Sequence, residues 1–230
     1  MLVLLLGMDT ATPAVTVALH DGCQPLAQIV IVDTHRHAEV LAPAIAQVIA
    51  DAGVSRLDLT GVAVGVGPGP YTGLRVGVVT AKVLGAALGI PVYGVCSLDV
   101  IAADVEGARA FLVATDARRH ELYWAGYDET GRRAGPDVSA PGDIPDRRLP
   151  AAGEGPLVYP DFLPSATGPT YPAAATLCRL VAQALAGGER APGPGGGFAG
   201  AGPSVLLAPE PLYLRRPDAR EPGAPKRVTP

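Results

Sequence analysis

Apolar and polar positions in the first third of the chain fall into short, evenly spaced blocks. Residues 2–8, 14–20 and 26–32 are apolar or alternating. Turn-rich pieces separate them, Asp9 to Pro13 and then Asp21-Gly22-Cys23-Gln24-Pro25, and this predicts a three-strand antiparallel meander. The period then changes. Between His37 and Ala52, Leu41, Ile45, Val48 and Ile49 recur at i, i+4, i+7 and i+8, the apolar stripe of a helix that Gly53 ends. Residues 62–66 read as a buried strand, 72–89 as a second helix and 91–95 as another strand. A second set of strands is expected at 110–115 and 120–127. A helix is expected over about 173–186, where Leu177, Leu180, Val181 and Leu185 share a face. Residues 187–203 have no apolar anchor beyond Phe198 and are expected to form a flexible loop. The pattern divides the chain into a subdomain over 1–103 and a more degenerate one over 104–230.

The junction between the strand at 62–66 and the following helix is Gly-rich: Gly65-Val66-Gly67-Pro68-Gly69-Pro70-Tyr71-Thr72-Gly73-Leu74-Arg75-Val76-Gly77. A loop of this kind points free backbone N–H groups and the positive end of a helix dipole at whatever lies above it. The spacing matches neither common nucleotide fingerprint. Thr72 stands where G-x-G-x-x-G needs its third Gly, and no Gly-Lys-Ser/Thr follows.

The helix after the loop is apolar on two sides. Val76, Val79 and Val83 cluster on one, Leu74, Val78, Leu84 and Leu88 on nearly the opposite one, and Arg75 and Lys82 form a narrow polar stripe. A helix lying on one sheet needs a single apolar face, so a second covering is expected. Gly73, Gly77, Ala81 and Gly85 add small positions that let a neighbour approach closely.

Composition narrows the function classes. With 230 residues, 48% hydrophobic and 17% charged, the chain can bury a substantial core. A net charge of −4 argues against whole-surface attraction to nucleic acid. Cys23, Cys96 and Cys178 are far apart and form no C-x-x-C, which fits reduced thiols in a cytoplasmic protein. No stretch reads as a secretory leader. The charge-free run between Lys82 and Asp99 is too short and too broken by Gly89 and Pro91 to span a membrane.

The segment from Gly67 to Gly77 resembles the GPGSFTGLRIG segment of the TsaB (YeaZ) family. Met8-Asp9-Thr10-Ala11-Thr12 is similar to that family's first hairpin, and His37-Ala38-Glu39-Val40-Leu41-Ala42-Pro43 to its first helix start. The stretch 91–98, Asp116-Ala117-Arg118 with Glu121-Leu122-Tyr123-Trp124-Ala125, and Pro211-Leu212-Tyr213-Leu214-Arg215 carry the likeness to the end of the chain. The resemblance implies an α/β fold of the actin, Hsp70 and sugar-kinase (ASKHA) type, with two related subdomains each built on a mixed sheet and helices. It implies a non-catalytic subunit that pairs with a TsaD-type transferase, works with a TsaE-like ATPase, and forms a homodimer when alone. That complex places N6-threonylcarbamoyl groups on adenosine 37 of tRNAs reading ANN codons. ATP or ADP and metal would sit on the partner subunits, and tRNA would be met only through the complex. Catalytic TsaD relatives carry an H-x-x-x-H metal pair at positions that fall here on Ser97 and Ile101, and Ile cannot ligate a metal.

Each candidate site has a plain reading beside the functional one. Asp9, Thr10 and Thr12 in the first hairpin, with Gly67, Gly69 and Thr72 in the loop, are candidates for vestigial phosphate contact, but turn chemistry alone is the favoured reading of the hairpin, where a side chain at Thr10 or Ala11 restricts a phosphate's approach. His35 and Glu39 stand at i, i+4 but lack further ligands, so they read as solvated helix-entry residues. The basic pairs 118–119, 132–133, 147–148 and 215–216 read as solvated surface. Leu41, Ile45, Val76, Val79, Val83, Leu84 and Leu88 form the expected partner interface, with Arg75 placed to orient the loop or meet a partner's carboxylate. The rival to assembly is a small-molecule kinase or ATPase of the same fold, which would need a complete phosphate hairpin and a Mg²⁺ ligand set.

Overall fold

The computed structural model describes residues 3–32, 36–190 and 204–215. Two sheets organise them. The first runs β1 (Leu5–Asp9), β2 (Ala14–His20), β3 (Pro25–Val32), then β4 (Gly61–Gly65) and β5 (Val92–Val95), in the order β3-β2-β1-β4-β5. The three-strand meander is antiparallel, whereas β4 and β5 add in parallel through helical crossovers: β1 pairs β2 with Met8 opposite Val17, and β4 with Met8 opposite Val64. Helices α1 (His37–Asp51) and α2 (Tyr71–Leu88) supply the crossovers.

Alternation along β1 decides what lies on each side. Leu4, Leu6 and Met8 point to α1 and α2, where they meet Leu41, Val48, Val78 and Ala81. Leu5 points to the other face, where α5 (Ala174–Ala186) supplies Leu177, Cys178 and Val181. Gly7 lies on that face too, because a Cβ there would stand 2.4 Å from the Cys178 sulfur. A helix of the second half thus covers the sheet of the first. Each fully buried Leu or Val contributes about 1.5–3 kcal/mol.

The second sheet has the order β8-β7-β6-β9, built from β6 (Ala110–Asp116), β7 (Leu122–Asp128), β8 (Gly131–Ser139) and the short β9 (Ala151–Ala152). Helix α3 (Ser97–Ala102) joins the two halves: Leu98 and Ile101 pack on Phe111, Val113 and Tyr127 of the second sheet. The opposite face buries Leu112, Leu122 and Trp124 against Ile144 and Leu163, close to the single-turn helix α4 (Gly155–Val158).

Residues 204–215 return to the first sheet as a strap. Leu207 exchanges backbone hydrogen bonds with Gly94 at 2.8 and 3.0 Å, and Leu212 N–H donates to Val66 C=O at 2.8 Å. A Cβ at Gly94 would stand 2.6 Å from the Ala208 carbonyl, so only glycine lets the strap lie so close.

Three sequence expectations are corrected. The strand expected from residue 120 starts at Leu122, because Arg118, Arg119 and His120 all take left-handed φ values of 61°, 56° and 60° in the hairpin turn. The strand expected over 2–8 begins at Leu5, since Leu4 bonds Thr60 rather than the ladder. The two apolar sides of α2 do not divide as expected. Leu74 and Val78 are buried with Gly73, Gly77, Ala81 and Gly85, while Leu84 and Leu88 are only half-buried and turn toward α1. The small residues cause this, since they seat the helix so close that its glycine edge, rather than its leucines, meets the sheet. The expected loop falls largely on 191–203 and, with His35, Phe198 and Arg216, lies outside the described residues.

Candidate functional site

Asp9 ends β1 and is completely buried. Its carboxylate accepts from the Ser97 hydroxyl at 2.6 Å and from the Ala11 N–H at 2.8 Å. Burial nevertheless dominates and pushes the carboxyl up to about 6, with both hydrogen bonds working against the rise. Ser97 opens α3, accepts from the Gly67 N–H at 3.1 Å, and its own N–H donates to the Gly67 carbonyl at 2.8 Å. A single hydroxyl therefore joins the end of β1, the glycine loop and α3. Ile101, one turn further, is fully buried against the second sheet. Ser97 and Ile101, the positions on which the resemblance would place a metal pair, are thus a hydrogen-bonded serine and a core isoleucine. Among the described residues no group of three His, Cys, Asp or Glu could hold a metal ion. Cys96 beside Ser97 is buried, and burial pushes its thiol up to about 12, which leaves it a packing residue.

The glycines of the loop owe their identity to the hairpin at 9–12. A Cβ at Gly69 would stand 2.3 Å from the Ala11 carbonyl, at Gly73 2.4 Å from the Thr10 carbonyl, and at Gly77 2.4 Å from the Thr10 hydroxyl. Thr10 fastens the contact by donating from its hydroxyl to the Gly73 carbonyl at 2.7 Å. Close approach is satisfied here by protein backbone.

Above this contact lies a polar cleft of about 350 Å³, lined by Thr10, Thr12, His37, Thr72, Asp116 and Arg118 among others. Of the residues singled out for phosphate contact, Thr10, Thr12 and Thr72 border it, while Asp9 and the glycines 67 and 69 lie beneath. His37 fixes the start of α1 through a hydrogen bond of 2.8 Å between its Nε2 and the Thr12 carbonyl. Glu39 is exposed. Asp116 and Arg118 were invisible as cleft residues in the sequence, because only the β6–β7 turn brings them opposite the first hairpin. Glu154 was missed as well. It is 8% exposed, one of its carboxylate oxygens has no hydrogen-bond partner, and burial together with the nearby Asp116 raises its carboxyl to about 7.

A second, apolar feature separates α1 from α2. Ile45, Ile49, Leu59, Thr80, Leu84 and Leu88 line much of an open groove of about 880 Å³. Of the residues chosen for an interface, Ile45, Leu84 and Leu88 border this groove. Leu41 is buried in the core, Val76 is half-buried, and Val79 and Val83 face solvent at 56% and 60% exposure. No helix among the described residues is long and apolar enough to cross a membrane.

The β-β-β-α-β-α-β order of the first half and the second sheet joined to it define an α/β protein of the actin, Hsp70 and sugar-kinase class. The family model for tRNA N6-adenosine threonylcarbamoyltransferase, TsaD, matches residues 26–156, more than half of the chain. An uncharacterized protein of Mycobacterium leprae is 43% identical over 226 residues, an alignment covering 94% of this chain and 56% of that protein. The Escherichia coli tRNA threonylcarbamoyladenosine biosynthesis protein TsaB is 34% identical over 148 residues, covering 59% of this chain and 61% of that one. The chain thus spans under two thirds of the length of each of these two relatives. The structure of YeaZ from Pseudomonas aeruginosa superposes with a TM-score of 0.73 at 27% identity, covering 92% of this chain and 100% of that one. The chain belongs to the TsaB/YeaZ family.

Proposed function

We propose that this chain is a non-catalytic subunit in tRNA threonylcarbamoyladenosine biosynthesis, pairing with and activating a TsaD-type transferase that modifies adenosine 37 of tRNAs reading ANN codons. A TsaE-like ATPase completes the assembly, nucleotide and metal reside on the partner subunits, and the chain self-associates through the same surface when the partner is absent. It works in the cytoplasm.

The observation that carries this reading is the exposed apolar surface of α2. Val79 and Val83 stand in solvent beside a groove lined by Ile45, Leu84 and Leu88, on the side of the helix turned away from the sheet. Exposed apolar surface next to an apolar groove is how unpaired protein interfaces present themselves. The core packing of Ile101, a side chain with no ligating atom, supports the non-catalytic part. The packing of the glycine loop onto the first hairpin counts against a kinase of the same fold, since the space for a close phosphate approach is filled by the Thr10 and Ala11 backbone.

Co-expression with the TsaD-like protein of the same organism tests the reading. The two chains should co-elute on size exclusion, and together they should restore the modified nucleoside in cells lacking their own TsaB. Separate elution with no restored nucleoside would overturn the proposal.

A further inference from the structure

Helix α2 contains no acidic residue, and both of its cations, Arg75 and Lys82, are exposed. Arg75, Val79, Lys82 and Val83 stand at i, i+4, i+7 and i+8, so they form one stripe on the outer face of the helix. Arg75 is already ordered. Its guanidinium lies 5.7 Å from the centre of the Tyr71 ring and 5.9 Å from that of Tyr213, and its Nε–H donates to the Tyr213 hydroxyl at 3.0 Å.

The two rings are themselves 4.5 Å apart, and the strap fixes the second of them. Leu212 N–H is bonded to Val66, the Tyr71 hydroxyl donates to the Arg215 carbonyl, and the Arg215 guanidinium pairs with Glu121. Yet among the described residues neither Arg75 nor Lys82 meets a carboxylate, and the terminal amino groups of Arg75 make no hydrogen bond. A long cationic side chain ordinarily loses rotamer entropy when a partner fixes it. Here the two tyrosines have ordered it in advance.

We infer that Arg75 is a pre-set ion-pair anchor for a protein partner whose docking element offers an apolar side chain to Val79 and Val83 and a carboxylate about one helical turn away. Tyr213 is its positioning residue. The inference rests on the reading that the outer face of α2 is the pairing surface. It adds the chemistry the partner must present and a role for the strap. The valines interleaved with the cations and the net charge of −4 favour a protein carboxylate over a nucleic-acid phosphate.

The test measures affinity for the co-purified TsaD-type transferase from about 0.05 M to about 0.5 M salt, where screening separates charge from apolar contact. Arg75→Gln should weaken pairing about three- to tenfold at low salt, and the loss should shrink as salt rises. Tyr213→Phe, which keeps the ring and removes the acceptor, should show a smaller loss with the same salt signature. Arg75→Lys should restore only part of the affinity. Val83→Glu should weaken pairing at every salt concentration. All of these positions are exposed, so melting midpoints should stay near that of the unaltered chain.

If Val83→Glu abolishes pairing while Arg75→Gln leaves affinity and salt slope unchanged, the anchor is overturned and the pairing surface stands. If Val83→Glu has no effect, or the unaltered chain does not bind at all, both fall. Loss of tRNA binding in Arg75→Gln with pairing intact would assign the cation to phosphate and overturn the inference. So would a loss confined to self-association.

Discussion

The Ser97 hydroxyl donates to the buried Asp9 carboxylate across 2.6 Å and accepts from the Gly67 N–H on its other side. Ser97→Ala would deprive both groups at once. The Gly67 N–H would be left without its acceptor and the carboxylate with one donor fewer, at a cost of about 1–3 kcal/mol. Urea denaturation of the variant checks this. A loss under 0.5 kcal/mol, roughly the range of a neutral surface change, would mean that water replaces the hydroxyl.

The glycine loop yields a prediction opposite in sign to helix propensity. Gly73→Ala replaces glycine by the best helix former, a gain of about 1 kcal/mol in an open helix. The new Cβ would stand 2.4 Å from the Thr10 carbonyl, a backbone atom that cannot swing aside. Overpacking of this kind costs about 1–3 kcal/mol, so net destabilisation is expected. A variant that melts higher than the parent would show that the hairpin is not seated on α2.

Much of the first sheet was legible because its signals are local. Period-two blocks gave β1 to β3, and the four-residue recurrence of Leu41, Ile45 and Val48 gave α1. The meaning of the glycines was not local. Their spacing announces a close approach without naming the approaching group, and only the fold shows that this is the Thr10 and Ala11 backbone. Strand β8 escaped notice because Arg132, Arg133, Gly135 and Pro136 dilute any alternation, and it is one-sided at the edge of its sheet. The strap and Glu154 escaped for a related reason. Residues 204–215 take their structure from Gly94 and Val66, more than a hundred positions away, so nothing in their own sequence shows where they dock.

Position within α2 separates folding from pairing. Val78→Glu would place a charge in the first core and should leave no cooperatively folded protein. Val79→Glu and Val83→Glu, at positions more than half exposed, should change stability by no more than about 0.5 kcal/mol. Circular dichroism and thermal melting distinguish the two sets. Unfolding of the Val83 variant would show that the outer face of α2 is covered by this chain itself.

Two buried carboxyls give the stability curve a recognisable shape. Asp9 is raised from 3.8 to about 6, so the folded chain holds a proton that the unfolded chain releases over that interval. Stability from this group is highest below about pH 4, declines as pH rises to 6, and stays at its lower level beyond. The total change is about 3 kcal/mol for a shift of roughly two pH units. Asp9→Asn removes the titration, so the stability of the variant relative to the parent should climb between pH 4 and 6 and then level off. Glu154, raised to about 7, extends the decline, and the corresponding comparison for Glu154→Gln should keep climbing to about pH 7. Denaturant titrations at closely spaced pH values resolve the two end points. A flat difference for Asp9→Asn would mean that the folded carboxyl titrates as in the unfolded chain, the Ser97 and Ala11 donors just offsetting its burial.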